Sequence, residues 1–202
     1  MKIEEEYHRK IKYRAIEQIT RNMVTNMEGV RAYASKQHQG QENKQEWAFV
    51  PSCWTFMDGL ERILYNNKVW TDITDLGCGI SPVLLYLSSK GFTGLKGVDN
   101  ETKYLRVLKS LLPPMNPPRL HKKNLCYFDR ELKRIIYRSK AIYLYMPLTD
   151  YEKFQKLLDK IWEHMSPGAL LISFYATDFD RGERAQHVHS IKSIKYFKKP
   201  GP

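Results

Sequence analysis

The sequence predicts an α/β fold: an open, mostly parallel sheet with helices on both faces, preceded by an N-terminal helical cap. Strand-length apolar segments alternate with helical segments from residue 69 to 176, and parallel strands need crossover connections, which helices supply. The chain has 202 residues, of which 42% are hydrophobic and 27% charged. That length and composition suit one globular domain with a packed core.

The first 48 residues differ in pattern from the rest. Apolar residues within 3–27 recur at spacings of three and four, which indicates an amphipathic helix, whereas residues 35–46 have no apolar side chain and indicate a loop. We therefore expect a cap over residues 1–48, a core over residues 49–185, and a C-terminal strand with a basic tail over residues 186–202.

The alternating elements of the core follow from apolar runs and from the residues that end them. Ser81 is a candidate N-cap with Pro82 as first helical residue, and Gly91 ends the same helix. The strands are predicted at residues 69–76, 94–99, 120–125, 141–146 and 169–175. The helices are predicted from Pro51 or Ser52 onward and at residues 83–90, 101–112, 129–138 and 149–165. We expect one further strand within residues 186–197 and a frayed end at 198–202.

Positive charge is concentrated in one part of the chain. The net charge is +11, and residues 103–140 contain 11 basic residues against Asp129 and Glu131, a local charge of +9. A basic surface attracts polyanions such as nucleic acids. The alternative is a solvated, lysine-rich exterior that only keeps the protein in solution.

Several classes of protein are disfavoured by the sequence. Cys53, Cys78 and Cys126 are too few for a disulfide framework and lack zinc-finger spacing, so we expect reduced thiols and no structural metal. No apolar run approaches the roughly 20 residues that span a bilayer. The acidic start, residues 1–6, lacks the apolar stretch of a secretory signal. These features predict a cytoplasmic protein without a membrane contact.

A glycine-rich turn follows the first predicted strand. Gly77 and Gly79 let the backbone turn sharply and approach a ligand, and the next helix presents free N–H groups to it. Asp99 ends the second strand, where a carboxylate can accept hydrogen bonds from both ribose hydroxyls. A nicotinamide dinucleotide fits poorly, because Pro82 takes the place of a third small residue. The Asp75 carboxylate would repel a pyrophosphate but attract the ammonium and sulfonium of S-adenosylmethionine.

At these residues the sequence resembles the class I S-adenosylmethionine-dependent methyltransferases, which have a Rossmann-like fold. The resemblance covers about residues 49–176, and its most specific part is residues 75–79, supported by 97–99 and 166–168. It implies S-adenosylmethionine as cofactor, with Asp75 near its amino group, Asp99 on its ribose and Tyr145 facing the transferred methyl group. It also implies that the glycine turn and the adenine border supply further contacts, from Gly77, Cys78, Gly79, Asn100, Asn124 and Leu125.

Four features depart from the family pattern. Ser81 stands where many members have a third glycine, Asn124 replaces an aspartate, and Asn100 replaces an apolar residue that stacks on adenine. The chain after the fifth strand is short compared with the full fold, which has a helix and two antiparallel strands there.

The sequence thus favours a monomeric methyltransferase that acts on a protein side chain or a nucleic acid, with a small molecule also open. We find no convincing general base, and residues 145–147 lack the Asn-Pro-Pro-Tyr-type motif of many adenine methyltransferases. The alternative of another class is a non-catalytic nucleic-acid-binding module on the same fold. A dehydrogenase is a third hypothesis.

Overall fold

The computed structural model describes residues 54–112, 117–145, 151–173, 188–191 and 194–201. The predicted cap over residues 1–48 lies outside the described residues. The helices are α1 Trp54–Asn66, α2 Pro82–Ser89, α3 Thr102–Leu111, α4 Arg130–Tyr137 and α5 Tyr151–His164. The strands are β1 Ile73–Leu76, β2 Lys96–Asp99, β3 Arg119–Lys122, β4 Ala141–Leu144, β5 Leu170–Ser173, β6 Val188–Ile191 and β7 Ile194–Lys198.

The strands form one sheet with the order β3-β2-β1-β4-β5-β7-β6. β1 to β5 are mutually parallel, and β7 runs antiparallel to both β5 and β6. This arrangement confirms the predicted open, mostly parallel sheet. The chain continues from β1 to β2 and β3 on one side and then returns to place β4 on the other side. The carboxyl ends of β1 and β4 therefore border a topological switch point, where such sheets bind ligands.

The core lies in two layers, one on each face of the sheet. β1, β4 and β5 are buried at every position, as expected for central strands covered on both faces. Side chains of α1, α2 and α3 pack on one face, and side chains of α4 and α5 pack on the other. The first face includes the fully buried α1 residues Met57, Leu60, Ile63 and Leu64. Helices on both faces were expected, and the structure confirms them.

The predicted strands are present but shorter than the apolar runs that indicated them. The run 69–76, for example, contains only β1 as a strand, with an isolated bridge between Thr71 and Thr93 before it. Lys68 and Asp72 have positive φ values of 56° and 58°. Such left-handed residues turn an extended chain, so the apolar run does not continue as one strand.

The C-terminal segment differs from the prediction of one strand with a frayed end. It forms two antiparallel strands, β6 and β7. The Lys199 N–H donates to the carbonyl of Ala169 at 3.0 Å, and the Lys199 carbonyl accepts from Gly168 at 2.9 Å. The Lys199 ammonium donates to the carbonyls at the end of α5, those of Trp162, Glu163 and Met165, at 2.6, 3.0 and 2.8 Å. A cation at a helix C-terminus is stabilising, and here it anchors a tail whose composition indicated a frayed end.

Candidate functional site

The glycine turn after β1 folds back over the end of β2. The N–H groups of Gly77 and Cys78 both donate to the Val98 carbonyl, at 2.8 and 3.0 Å. Gly77 and Gly79 have φ values of 76° and 52°, in the left-handed region that glycine enters without steric cost. The two glycines therefore allow the turn to stay bonded to the neighbouring strand.

Ser81 ends this turn and begins α2. Its hydroxyl accepts the N–H of Leu84 at 2.9 Å, which confirms the predicted N-cap. The same hydroxyl donates to Asp75 Oδ2 at 2.6 Å, and the Ser81 N–H donates to the Cys78 carbonyl at 2.8 Å. The φ of Ser81 is 35°, which is unfavourable for a residue with a Cβ. Three hydrogen bonds thus hold serine in a conformation that explains why glycine is frequent at this place in the resembled family.

Asp75 is the buried acid of the site. Its side chain is 5% exposed and lies on the same face of the sheet as its register partners Gly97 and Tyr143. Burial raises the pKa of Asp75 to about 7; the hydrogen bond from Ser81 opposes this rise and the charge of Asp99 adds to it. The ionised form is therefore poorly stabilised by the protein alone, and a nearby cation would favour it.

Asp99, on the neighbouring strand, accepts a hydrogen bond from the glycine turn. It ends β2, two residues after Gly97, and so lies on the same face of the sheet as Asp75. Asp99 Oδ2 accepts the Gly79 N–H and Oδ1 accepts the Glu101 N–H, both at 2.8 Å, and the residue is 8% exposed. A carboxylate oxygen has two acceptor positions, so these bonds are compatible with further bonds from ligand hydroxyls.

Gly97 belongs to the segment 97–99 that supported the resemblance, but the sequence analysis gave it no role of its own. A Cβ added there would lie 2.8 Å from Leu84 Cδ1, 2.9 Å from Leu120 Cδ2 and 3.0 Å from Cys78 Sγ. Only glycine lets α2 and the turn approach β2 this closely. The signal was available, because a glycine inside a strand often marks a close approach of this kind.

Cys78 is a packing residue within the turn. Its side chain is 4% exposed, and burial, followed by the charges of Asp75 and Asp99, raises the pKa of its thiol well above the ordinary value. Since the thiolate is the reactive form, this thiol is chemically inert. Any contact of Cys78 with a cofactor would come from its backbone.

The residues predicted to border adenine follow β2 and β3. Asn100 comes directly after Asp99 and is half-buried. Asn124 is exposed, and its Oδ1 accepts the Cys126 N–H at 2.8 Å, a bond that shapes the loop after β3. Leu125 is 7% exposed and packs into the core on the α4 and α5 side of the sheet. Leu125 therefore has a core role in addition to the predicted one.

Tyr145 lies directly after β4. The preceding residue, Leu144, pairs in register with Leu76, so Tyr145 follows β4 at the level of Gly77. Tyr145 is half-buried and packs against the core on the α1 and α2 side. It thus lies at the carboxyl edge where the sequence predicted it.

Hydrogen bonds and packing join Asp75, Gly77, Cys78, Gly79 and Asp99 around one turn. Asn100, Asn124, Leu125 and Tyr145 lie along the same carboxyl edge. Contact of these nine residues with a ligand stays a prediction. Over the described ranges, no three His, Cys, Asp or Glu side chains are grouped so that they could hold a metal ion. Likewise, none of the described helices is both long and apolar enough to cross a membrane.

No family model and no curated protein matches this sequence. Several solved structures, however, are similar to the structure of this chain. An RNA methyltransferase from Salinibacter ruber, in complex with S-adenosyl-L-homocysteine, is 16% identical, with a TM-score of 0.51, over 76% of this chain and 95% of that one. A hypothetical protein from Thermus thermophilus is 17% identical, with a TM-score of 0.56, over 80% of this chain and 94% of that one.

A third structure is an amino pentose methyltransferase from Micromonospora echinaspora, bound to S-adenosylmethionine. It is 18% identical, with a TM-score of 0.49, and the match covers 61% of this chain and 51% of that one. At identities of 16% and 17%, the likeness to the Salinibacter ruber and Thermus thermophilus structures concerns the fold alone, and the sheet order of this chain agrees with it. The chain has the class I S-adenosylmethionine-dependent methyltransferase fold.

Proposed function

We propose that this chain is an S-adenosylmethionine-dependent methyltransferase. The proposal rests on one observation: Asp75 and Asp99, on neighbouring strands and on one face of the sheet, hold the same glycine turn. Asp75 does so through Ser81, and Asp99 does so through the Gly79 N–H. Two acids in this arrangement suit a ligand that has a cation at one end and ribose hydroxyls at the other.

The residues present fit this cofactor better than a dinucleotide. Asp75 is buried next to the turn, where the phosphates of a dinucleotide would have to lie. The Ser81 hydroxyl at the start of α2 is bonded to Asp75 and so is directed to a carboxylate rather than to an anionic ligand. These features disfavour the dehydrogenase hypothesis.

When bound, S-adenosylmethionine supplies a methyl group that is activated by positively charged sulfur. Asp75 attracts the ammonium of the cofactor, and Asp99 accepts bonds from its ribose. Tyr145 lines the acceptor side at the end of β4. Alignment and exclusion of water do most of the work in an in-line transfer, so a neutral acceptor needs no strong general base.

The acceptor in this proposal is a protein side chain or a nucleic acid, recognised by the basic residues of 103–140. The Salinibacter ruber structure, that of an RNA methyltransferase, supports the nucleic-acid option. We further propose that the protein is a cytoplasmic monomer with a core over residues 49–185 that does not contact a membrane. The competing function is a non-catalytic module that binds nucleic acid with the same fold.

Calorimetric titration with S-adenosyl-L-homocysteine tests the proposal. Wild type should bind, Asp99→Ala should lose roughly tenfold or more in affinity, and Asp129→Asn, at a surface carboxylate, should not. Because Asp75 has a pKa of about 7 and only its ionised form attracts an ammonium, wild type should bind more tightly at pH 8 than at pH 6. A wild type that binds neither this compound nor S-adenosylmethionine at either pH would favour the non-catalytic module.

A further inference from the structure

Helix α4 separates its side chains into a buried apolar face and an exposed basic face. Leu132, Ile135 and Ile136 are buried against the sheet. The exposed positions are spaced as on one side of a helix and include Arg130, Lys133, Arg134 and Arg138. The basic side chains are therefore displayed together along about 12 Å of helix.

Two tyrosines accompany these cations. Tyr127, in the loop before α4, is 74% exposed, and Tyr137, in the last turn of α4, is 62% exposed. They are the most exposed large apolar side chains in the part of the chain that the structure describes. We call the surface formed by Tyr127, Arg130, Lys133, Arg134, Tyr137 and Arg138 the α4 ridge.

The carboxylates next to the α4 ridge form ion pairs with a lysine outside the ridge. Lys123 forms ion pairs with Asp129 at 2.8 Å and with Glu131 at 2.5 Å. Within the described ranges, no carboxylate lies within ion-pair distance of the four ridge cations. The positive charge of the α4 ridge is therefore not cancelled by its neighbours.

The α4 ridge adjoins the candidate cofactor site. The loop that carries Tyr127 begins with Asn124 and Leu125, the residues predicted to border adenine. The Lys123 N–H, just before them, donates to the Asp99 carbonyl at 2.9 Å. A polymer bound to the α4 ridge thus has a short path to the carboxyl edge of the sheet.

We infer that the α4 ridge binds the backbone of a single-stranded nucleic acid, with bases stacked on Tyr127 and Tyr137. This inference rests on the proposed function, because it names that strand as the methyl acceptor. Cations bind phosphates without regard to sequence, and exposed aromatic rings add stacking that an acidic peptide would not use. In a stable duplex the bases stack on one another, so no base would be available to stack on the two tyrosines.

The test measures fluorescence anisotropy of labelled mixed-sequence strands of about 20 nucleotides, as RNA and as DNA, over a range of salt concentrations. Lys133→Gln combined with Arg134→Gln should weaken binding about tenfold and reduce the salt slope by roughly 1.4, or 0.7 per phosphate contact. The matched control, Arg62→Gln combined with Lys198→Gln, removes one arginine and one lysine charge that are exposed elsewhere, and it should change the affinity little.

A second pair of variants tests stacking. Tyr137→Ala should weaken binding of the single strand by roughly fivefold or more, whereas Tyr137→Phe keeps a ring and should bind as wild type does. Equal losses in the ridge and control variants would overturn the inference. So would an unchanged affinity of Tyr137→Ala, preference for a duplex of the same sequence, or equal competition by polyglutamate.

Titration of the same variants with S-adenosyl-L-homocysteine separates the two proposals. Each ridge variant should keep wild-type affinity for this compound, since the cofactor residues are unchanged. A wild type that binds the compound but no nucleic acid refutes the α4 ridge and leaves the proposed function standing. A wild type that binds single strands through the α4 ridge but not the compound refutes the methyltransferase and supports the ridge as a binding surface.

Discussion

Asp75 in the candidate site and Asp129 at the start of α4 have opposite environments, and their pKa values shift in opposite directions. Burial raises the pKa of Asp75 to about 7, against a partial correction by the Ser81 hydroxyl. At the exposed Asp129, the hydrogen bond from Lys123 lowers the pKa, and the N–H of Leu132 lowers it further. One acid is held where its charge is unfavourable, and the other is held where its charge is compensated.

The difference between the two regions separates an acid that serves the fold from an acid that we propose serves a ligand. Asp129 caps α4 by accepting the Leu132 N–H at 2.7 Å, and so it has a structural task. Asp75 also bonds within the protein, but no described cation stands beside it. A buried acid that destabilises the fold near neutral pH is expected at a functional site rather than in an ordinary core.

The largest expected effect is that of Asp75→Asn on stability. The folded protein holds the Asp75 proton more tightly than the unfolded chain between pH 3.8 and about 7, so wild-type stability should fall as pH rises through this window. Above pH 7 the penalty is roughly 4 kcal/mol. Asp75→Asn should therefore raise the free energy of unfolding at pH 8 by up to that amount, as measured by urea denaturation, while it abolishes binding of S-adenosyl-L-homocysteine.

The comparison is sharpened by repeating the urea series for Asp129→Asn, which should keep the wild-type slope between pH 4 and 7. If Asp75→Asn were less stable than wild type at pH 8, the acid would be a stabilising member of the core. Its proposed role toward a cationic ligand would then lose its physical basis.

Gly97→Ala should have the next largest effect, because it disturbs the packing beneath the site without changing any charge. The added Cβ would lie too close to Cys78 Sγ in the glycine turn and to the Leu84 side chain in α2. Overpacking of a tight core position costs about 1–3 kcal/mol. The thermal midpoint should fall accordingly, and the affinity for S-adenosyl-L-homocysteine should fall with it. Gly201→Ala is a control at an exposed glycine with open space around it, and it should leave that affinity unchanged.

Local chemistry made much of the fold and the centre of the site predictable. Apolar runs bounded by residues such as Ser81 and Pro82 identified the helices and strands, and the acids at the strand ends marked the edge that carries the candidate site. The bond from Ser81 to Asp75 was not predictable, because it depends on the left-handed turn that brings the hydroxyl back toward β1. The anchoring of Lys199 was missed for a related reason, since its carbonyl partners lie more than 30 residues away in sequence.

The smallest expected effect is that of Asp129→Asn, and it defines the other side of the comparison. Asparagine caps a helix as well as aspartate does, and Lys123 retains Glu131 as a partner. The lowered pKa of Asp129 means that its ionised form stabilises the fold above its ordinary pKa and that this contribution is lost as pH falls below about 4. The thermal midpoint of Asp129→Asn at pH 7 should therefore lie slightly below that of wild type in differential scanning calorimetry, because an exposed ion pair contributes little, and the difference should disappear in acid. If Asp129→Asn instead removed the decline in stability between pH 4 and 7, that decline would belong to the surface carboxylate, and Asp75 would not be the acid that the fold holds for a ligand.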